Sequence, residues 1–173
     1  MKKFINAVDQ VEDQMVLGMV KAYPRHLKKL DCGNVVVRAQ KKEGKVALIS
    51  GGGSGHEPAH GGFVGEGMLD AAVAGAVFTS PTPDQILEGI RAIATDKGVL
   101  MVVKNYTGDV MNFEMAAEMA QMEGIDVKHV VTNDDVAVDG SLYTVGRRGV
   151  AGTIFVHKIA GALAETGAGL DEV

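Results

Sequence analysis

Val46-Ala47-Leu48-Ile49-Ser50-Gly51-Gly52-Gly53-Ser54-Gly55-His56-Glu57-Pro58 is the stretch on which both the fold and the chemistry of this chain turn. Val46–Ile49 is an aliphatic run of the length of a buried strand. It passes at once into Gly51–Gly55, a loop with almost no side chains, and then into His56. A backbone without Cβ atoms can approach a ligand closely. Its N–H groups suit an anion or an oxygen-rich small molecule, while Ser54 and His56 supply a hydroxyl and an imidazole that titrates near neutrality. The plainer alternative is a tight strand-to-helix turn in which His56 caps a neighbouring group.

Three known motifs compete for these residues, and each fails. A P-loop requires Lys and then Ser or Thr after its last glycine, and no Lys follows here. A dinucleotide fingerprint counted from Gly51 needs Gly or Ala where His56 stands. His56-Glu57-Pro58-Ala59-His60 has the letters of a zinc-protease signature, which needs both histidines on one face of a continuous helix. Pro58 has no N–H and belongs only in a helix's first turn, so a helix starting near Glu57 or Pro58 cannot run back through His56. No metal site is expected.

Working outward, Ile5, Val8, Val11, Met15, Val16 and Met19 recur at helical spacing and predict a helix between Phe4 and Tyr23, ended by Pro24. Val35–Val37 reads as a strand, joined to Val46–Ile49 by Lys41-Lys42-Glu43-Gly44. Ala71–Phe78 reads as a short strand or coil, Asp84–Ala94 as a helix, Val99–Lys104 as a strand and Val110–Glu123 as a helix. Val127–Thr132 then reads as a strand and Val150–Glu165 as a helix. The alternation predicts an α/β fold, a largely parallel or mixed sheet covered by helices, in a single domain spanning 1–173. Thr82-Pro83-Asp84-Gln85 carries the signals of a helix start: an N-cap threonine, proline in the first turn and glutamine closing a capping box.

Ligands of such sheets bind beyond the carboxyl ends of the strands. Val99–Val103 ends in Lys104-Asn105-Tyr106-Thr107-Gly108-Asp109, so Lys104 and Asp109 straddle a second strand-to-helix turn. If this strand lies beside Val46–Ile49, an imidazole, an ammonium and a carboxylate share one crevice, a set able to polarise a carbonyl and take a proton from a hydroxyl. The alternatives are an N-cap role for Asp109 and a solvated Lys104. Met111, Met115, Met119 and Met122 on the following helix are expected to fill the core.

Composition narrows the class. The chain has 173 residues, 46% of them hydrophobic and only 5% aromatic, with 23 glycines, so its interior must be built from aliphatic and small side chains joined by tight turns. A net charge of −5 without long Lys/Arg runs argues against nucleic acid as a partner. The single cysteine, Cys32, excludes an internal disulfide. The N-terminus Met1–Ile5 soon meets Asn6, Asp9, Glu12 and Asp13 with no apolar h-region, which implies a cytoplasmic protein without a membrane span.

Five segments in order carry a resemblance: Gly51–His60; Phe78-Thr79-Ser80-Pro81-Thr82-Pro83-Asp84; Lys104–Asp109 with Asn112-Phe113-Glu114; Asp134-Asp135-Val136-Ala137-Val138; and Gly146-Arg147-Arg148-Gly149-Val150-Ala151-Gly152. Together they resemble the dihydroxyacetone-binding subunit of dihydroxyacetone kinase, over nearly the whole chain. The resemblance implies that Gly53, Ser54, Gly55, His56, Lys104 and Asp109 hold dihydroxyacetone, with His56 and Asp109 as the acid/base pair in glycerol metabolism. It further implies a nucleotide, ADP or ATP with Mg, on a separate subunit recharged by the phosphoenolpyruvate phosphotransferase system or on a fused ATP-binding domain. No nucleotide is expected on this chain itself, and a homo-oligomer, a homodimer, is implied.

Members of that family continue into a second domain, whose histidine bonds covalently to the substrate carbonyl. None of His26, His60, His129 or His157 sits in that motif, so the chain is expected to be either a fragment of a longer kinase subunit, its substrate-binding half, or a shortened relative, inactive alone in both cases. Some relatives bind dihydroxyacetone as co-activators of transcription without phosphorylating it. His56 together with Asp109 favours the kinase over that alternative, because a sensor needs no general base.

Overall fold

The computed structural model describes residues 2–138 and 146–173. Its described strands are β1 (Leu27–Lys29), β2 (Val35–Arg38), β3 (Ala47–Ser54), β4 (Ala71–Val77), β5 (Val99–Lys104) and β6 (Val127–Thr132). They form one sheet in the order β1-β2-β4-β3-β5-β6. β4, β3, β5 and β6 run parallel, while β2 joins β4, and β1 joins β2, in antiparallel fashion. The sheet is therefore mixed, with a parallel centre. Lys41–Gly44 does connect β2 to β3, but β4 lies between them.

Side-chain alternation along these strands sends successive residues to opposite faces. Val35, Val37, Ala47, Ile49, Met101 and Val103 pack under α2 (Pro83–Ile93) and α3 (Thr107–Met122). Val36, Val46, Leu48 and Leu100 face α1 (Val11–Ala22) and α4 (Thr153–Ala164). α2 starts as its sequence requires: Gln85 N–H donates to the Thr82 hydroxyl, the Gln85 side chain accepts from the Thr82 N–H, and Pro83 opens the helix.

Several expectations are corrected. α1 begins at Val11 after a 3₁₀ turn at Val8–Gln10, and Phe4 and Ile5 are exposed rather than packed. Of the two readings left open for Ala71–Phe78, the strand is the one found, as Ala71–Val77 at the centre of the sheet. α4 begins at Thr153, three residues after Val150. On α3 the buried residues are Asp109, Phe113, Ala116, Ala117 and Ala120; Met119 packs against the core as expected, whereas Met111, Met115 and Met122 are exposed. Small alanines let α3 lie close to its neighbours, and that stripe displaces the methionine stripe outward.

At the amino end of the parallel strands, Lys45 is buried against Asp70 at 2.6 Å. Asp70 also takes the Leu48 N–H and Arg38, and Arg38 and Lys42 both reach Glu165 just beyond α4. Burial pushes the Glu165 carboxyl up, but hydrogen bonds from Lys42, Gly67 and Arg38 and the charge of Lys45 outweigh it and hold the group at about 2. Among the described residues no helix is long and apolar enough to cross a membrane.

Two tests follow. An alanine Cβ at Gly75 would stand 2.1 Å from the Thr79 carbonyl oxygen, whereas at exposed Gly18 in α1 it would meet nothing within 4 Å. Gly75→Ala is expected to lower stability by about 1–3 kcal/mol, and Gly18→Ala to raise it by about 0.5–1 kcal/mol, both read by urea denaturation. Glu165, depressed in the fold, contributes stability that is complete above its unfolded value of 4.5 and lost as pH falls toward about 2. Glu165→Gln should flatten that part of the stability profile.

Candidate active site

β3 does not end where its aliphatic residues end. Gly51, Gly52 and Gly53 pair with Val73, Ala74 and Gly75 of β4, and only at Gly53/Ser54 does the register slip. The glycine stretch is thus strand rather than loop, paired to β4 along one edge, while pairing with β5 on the other edge stops at Ser50. Gly55 N–H is also engaged, by the Glu57 carboxylate at 3.1 Å. Ser54 turns its hydroxyl away to the Gly75 carbonyl at 2.7 Å.

The missing side chains serve a close approach. A Cβ at Gly53 would lie 2.5 Å from the Thr79 nitrogen, so the turn after β4 rests directly on the β3 backbone. Phe78 enters that turn with φ 53°, in the left-handed region, and its N–H donates to the Ser54 carbonyl. Ser80 follows, and its hydroxyl donates to Asp109 Oδ1.

Asp109 is the third residue of α3, whose N-cap is Tyr106. It is therefore not itself the N-cap, and it is buried. Lys104, the last residue of β5, is buried as well. Because β5 is parallel to β3 and beside it, Lys104 reaches His56 Nε2 at 3.1 Å. An ammonium has only donors, so His56 accepts at Nε2 and the neutral ring carries its proton on Nδ1. His56, Lys104, Asp109, Gly53, Ser80 and Tyr106 line one open crevice of about 530 Å³ at the carboxyl ends of the strands.

Burial perturbs both charged groups in the crevice. Burial pushes the Asp109 carboxyl up, against the Ser80 hydrogen bond, the charge of Lys104 and that of the His56 ring when it is protonated. Burial likewise pulls Lys104 down, opposed by Asp109. A carboxylate and an ammonium both drawn toward neutrality are suited to proton transfer. Tyr106 stacks between the Lys104 ammonium at 5.4 Å and the Arg148 guanidinium at 5.5 Å.

Behind His56 and Lys104 lies a second chamber of about 340 Å³, bounded by Phe63, Ile154 and the buried pair His60 and His157. Ser50 Oγ donates to the Val102 carbonyl, so His60 Nδ1 carries the proton shared between Ser50 Oγ at 3.3 Å and His157 Nε2 at 3.1 Å. Burial holds both rings below the ordinary histidine range, His157 at about 4. Residues 56–60 form turns, not a helix, and the His56 and His60 rings stand nearly perpendicular. Among the described residues no three His, Cys, Asp or Glu side chains gather as metal ligands.

The sequence reasoning placed Gly53, Ser54, Gly55, His56, Lys104 and Asp109 at the site. The structure brings His56, Lys104, Asp109 and the Gly53 backbone together, and turns the Ser54 hydroxyl elsewhere. Ser80 and Tyr106, present only as letters of longer segments, and the His60–His157 pair were given no role at the site. The period of helices and strands carries no signal for a contact between residues 80 and 109, which only the sheet order creates.

Residues 17–173 match the Dak1 domain family. The whole chain is 60% identical to the dihydroxyacetone-binding subunit of PTS-dependent dihydroxyacetone kinase 1 from Listeria innocua, covering 53% of that protein. The native dihydroxyacetone kinase of C. freundii superposes with a TM-score of 0.92 at 44% identity, over 99% of this chain and 32% of the other. A co-activator of the dihydroxyacetone kinase operon superposes with a TM-score of 0.86 at 44% identity, over 92% of this chain and 49% of the other. The chain spans about half the length of the bacterial subunits it matches. With a family match over nearly all its residues and a mixed α/β fold that superposes on the kinase, the chain belongs to the Dak1 domain family.

Proposed function

We propose that this chain is the substrate-binding part of a dihydroxyacetone kinase, holding a keto-triose while a partner delivers phosphate. The observation that carries the reading is the convergence of His56, Lys104 and Asp109 on one crevice beside the backbone of Gly53. Identity of 51–60% with dihydroxyacetone-binding subunits supports it. In this reading Gly53, Ser54 and Gly55 shape the floor, His56 and Lys104 bind the triose oxygens, and Asp109 with His56 handles the proton.

The chemistry is proton removal followed by phosphoryl transfer. As the triose hydroxyl oxygen bonds to the phosphorus, its proton passes to Asp109, and the bond from phosphorus to the bridging oxygen of the nucleotide breaks. The nucleotide leaves as its diphosphate, and dihydroxyacetone phosphate is the product. The protein's part is to position the hydroxyl and stabilise charge, the main levers in phosphoryl transfer. The nucleotide and its Mg belong to a partner subunit or domain in this reading. It also includes a second half like that of the relatives, which completes the site, a homodimeric state and a cytoplasmic location.

A second reading, dihydroxyacetone sensing by a regulatory co-activator, is favoured by the likeness to the operon co-activator. The two part at Asp109, which a sensor does not require as a base. In a subunit extended through the relatives' second half and supplied with its nucleotide-bearing partner, Asp109→Asn should lower turnover about 10²–10⁴-fold with little change in triose affinity. A coupled assay for dihydroxyacetone phosphate measures this: wild-type turnover in the variant would defeat the role of Asp109 as the base, and no turnover in the unsubstituted subunit would favour the sensor. The same assay on the 173-residue chain should give negligible product.

A further inference from the structure

Asp109 is held from outside its own helix. Ser80 Oγ donates to Asp109 Oδ1, joining the turn after β4 to the first turn of α3 across 29 residues of sequence. That turn has little freedom. A Cβ at Gly75 would strike the Thr79 and Ser80 backbone, and a Cβ at Gly108 would lie 2.8 Å from Ser80 Oγ. The Pro81 carbonyl accepts from the Asn112 side chain at 2.8 Å, tying the same turn to α3 one helical turn further on.

With Oδ1 occupied, the other oxygen has a defined direction. A point at the Cβ position above Gly52 lies 3.6 Å from Asp109 Oδ2 and 3.7 Å from His56 Nε2. Asp109 Oδ2 and the His56 ring edge thus both stand over the one stretch of strand that has no side chain. We propose that Ser80 is the positioning residue of this site, its hydroxyl fixing Asp109 so that Oδ2 is presented toward His56 and the triose hydroxyl. This rests on the reading of Asp109 as the base.

The charges around Asp109 give Ser80 a second effect. Burial opposes the carboxylate, the Ser80 hydroxyl is a donor to the charged form, and Lys104 at the end of β5, with His56 beyond β3 when its ring is protonated, favours it. Removing that donor moves Asp109 further toward its protonated form. A base is active when deprotonated, so the acid limb of the activity profile then moves to higher pH.

The test has two arms. In the 173-residue chain, carbon-13-labelled aspartate is titrated by NMR, and the Asp109 resonance is identified by its loss in Asp109→Asn. Ser80→Ala should move the Asp109 midpoint to higher pH, and Ser80→Thr, which keeps the hydroxyl, should restore it. An unmoved midpoint in a folded Ser80→Ala variant overturns the proposal. In the extended subunit with its nucleotide partner, Ser80→Ala should lower kcat about tenfold, with KM within about twofold, and shift the acid limb upward. A loss of kcat with the acid limb in its wild-type place would mean a merely structural role and also overturns the proposal. Asp109→Asn in the same assay separates the two ideas. Full turnover there defeats the base reading, while the NMR arm still decides whether Ser80 controls Asp109.

Discussion

The site depends on one steric fact: the turn after β4 lies directly on backbone that has no side chains. Thr79 sits 2.5 Å from where a Cβ of Gly53 would be, and its carbonyl 2.1 Å from that of Gly75. Any larger residue at either position lifts the turn. With the turn down, Phe78 closes over Gly55, Ser80 reaches Asp109, and the crevice acquires a wall on the β4 side. The glycines thus act by letting two backbones touch, a different use from the ligand cradle that a free loop would provide.

Charge is arranged along the strand direction. At the amino ends of the parallel strands, Arg38, Lys42 and Lys45 meet Asp70 and Glu165 in a compact network in which every carboxylate is matched. Breaking such a buried pair leaves an uncompensated charge and typically costs about 3–5 kcal/mol, so this end suits a structural anchor. At the carboxyl ends the balance is looser. Lys104 approaches a histidine rather than a carboxylate, Asp109 accepts from a hydroxyl rather than a cation, and both are drawn from their usual titration ranges by burial. Groups paired this loosely and shifted by burial are the kind that cluster at functional sites.

Much of this was legible before any coordinates. β5 and β6 fall where their aliphatic runs lie, and α2 starts at its capping box, because those signals are local. His56, Lys104 and Asp109 could be named because parallel strands bring their carboxyl ends together wherever they lie in sequence. What escaped was decided by packing. Glycine's low strand propensity hid the continuation of β3, which pairing with β4 overrides. The alanine stripe of α3 outcompeted its methionines because close helix approach matters more than side-chain size. Ser80 was invisible because its partner is fixed by the placement of β3 between β4 and β5.

The same topology explains why the informative segments recur along the chain instead of clustering. Gly51–His60 follows the aliphatic part of β3, Phe78–Asp84 follows β4, Lys104–Asp109 follows β5, and Asp134–Val138 follows β6. Each is the exit of a parallel strand, and in a parallel sheet all exits lie on one edge. The segment around Gly149 belongs with them although it precedes α4. A Cβ there would meet the Thr132 carbonyl at 2.6 Å and Lys104 Cα at 2.8 Å, so it packs across the exits of β5 and β6. Asp134 binds it further through the Val150 and Gly152 N–H groups, and Thr132 bonds to Thr153 at 2.9 Å. The start of α4 is thereby fixed to the sheet edge, which sets His157 against His60 and encloses the chamber behind Lys104. One wall of the site is thus the turn resting on Gly53 and Gly75, and the other is this helix start resting on β5 and β6. Lys104 and His56 stand between them and line both the crevice and the chamber.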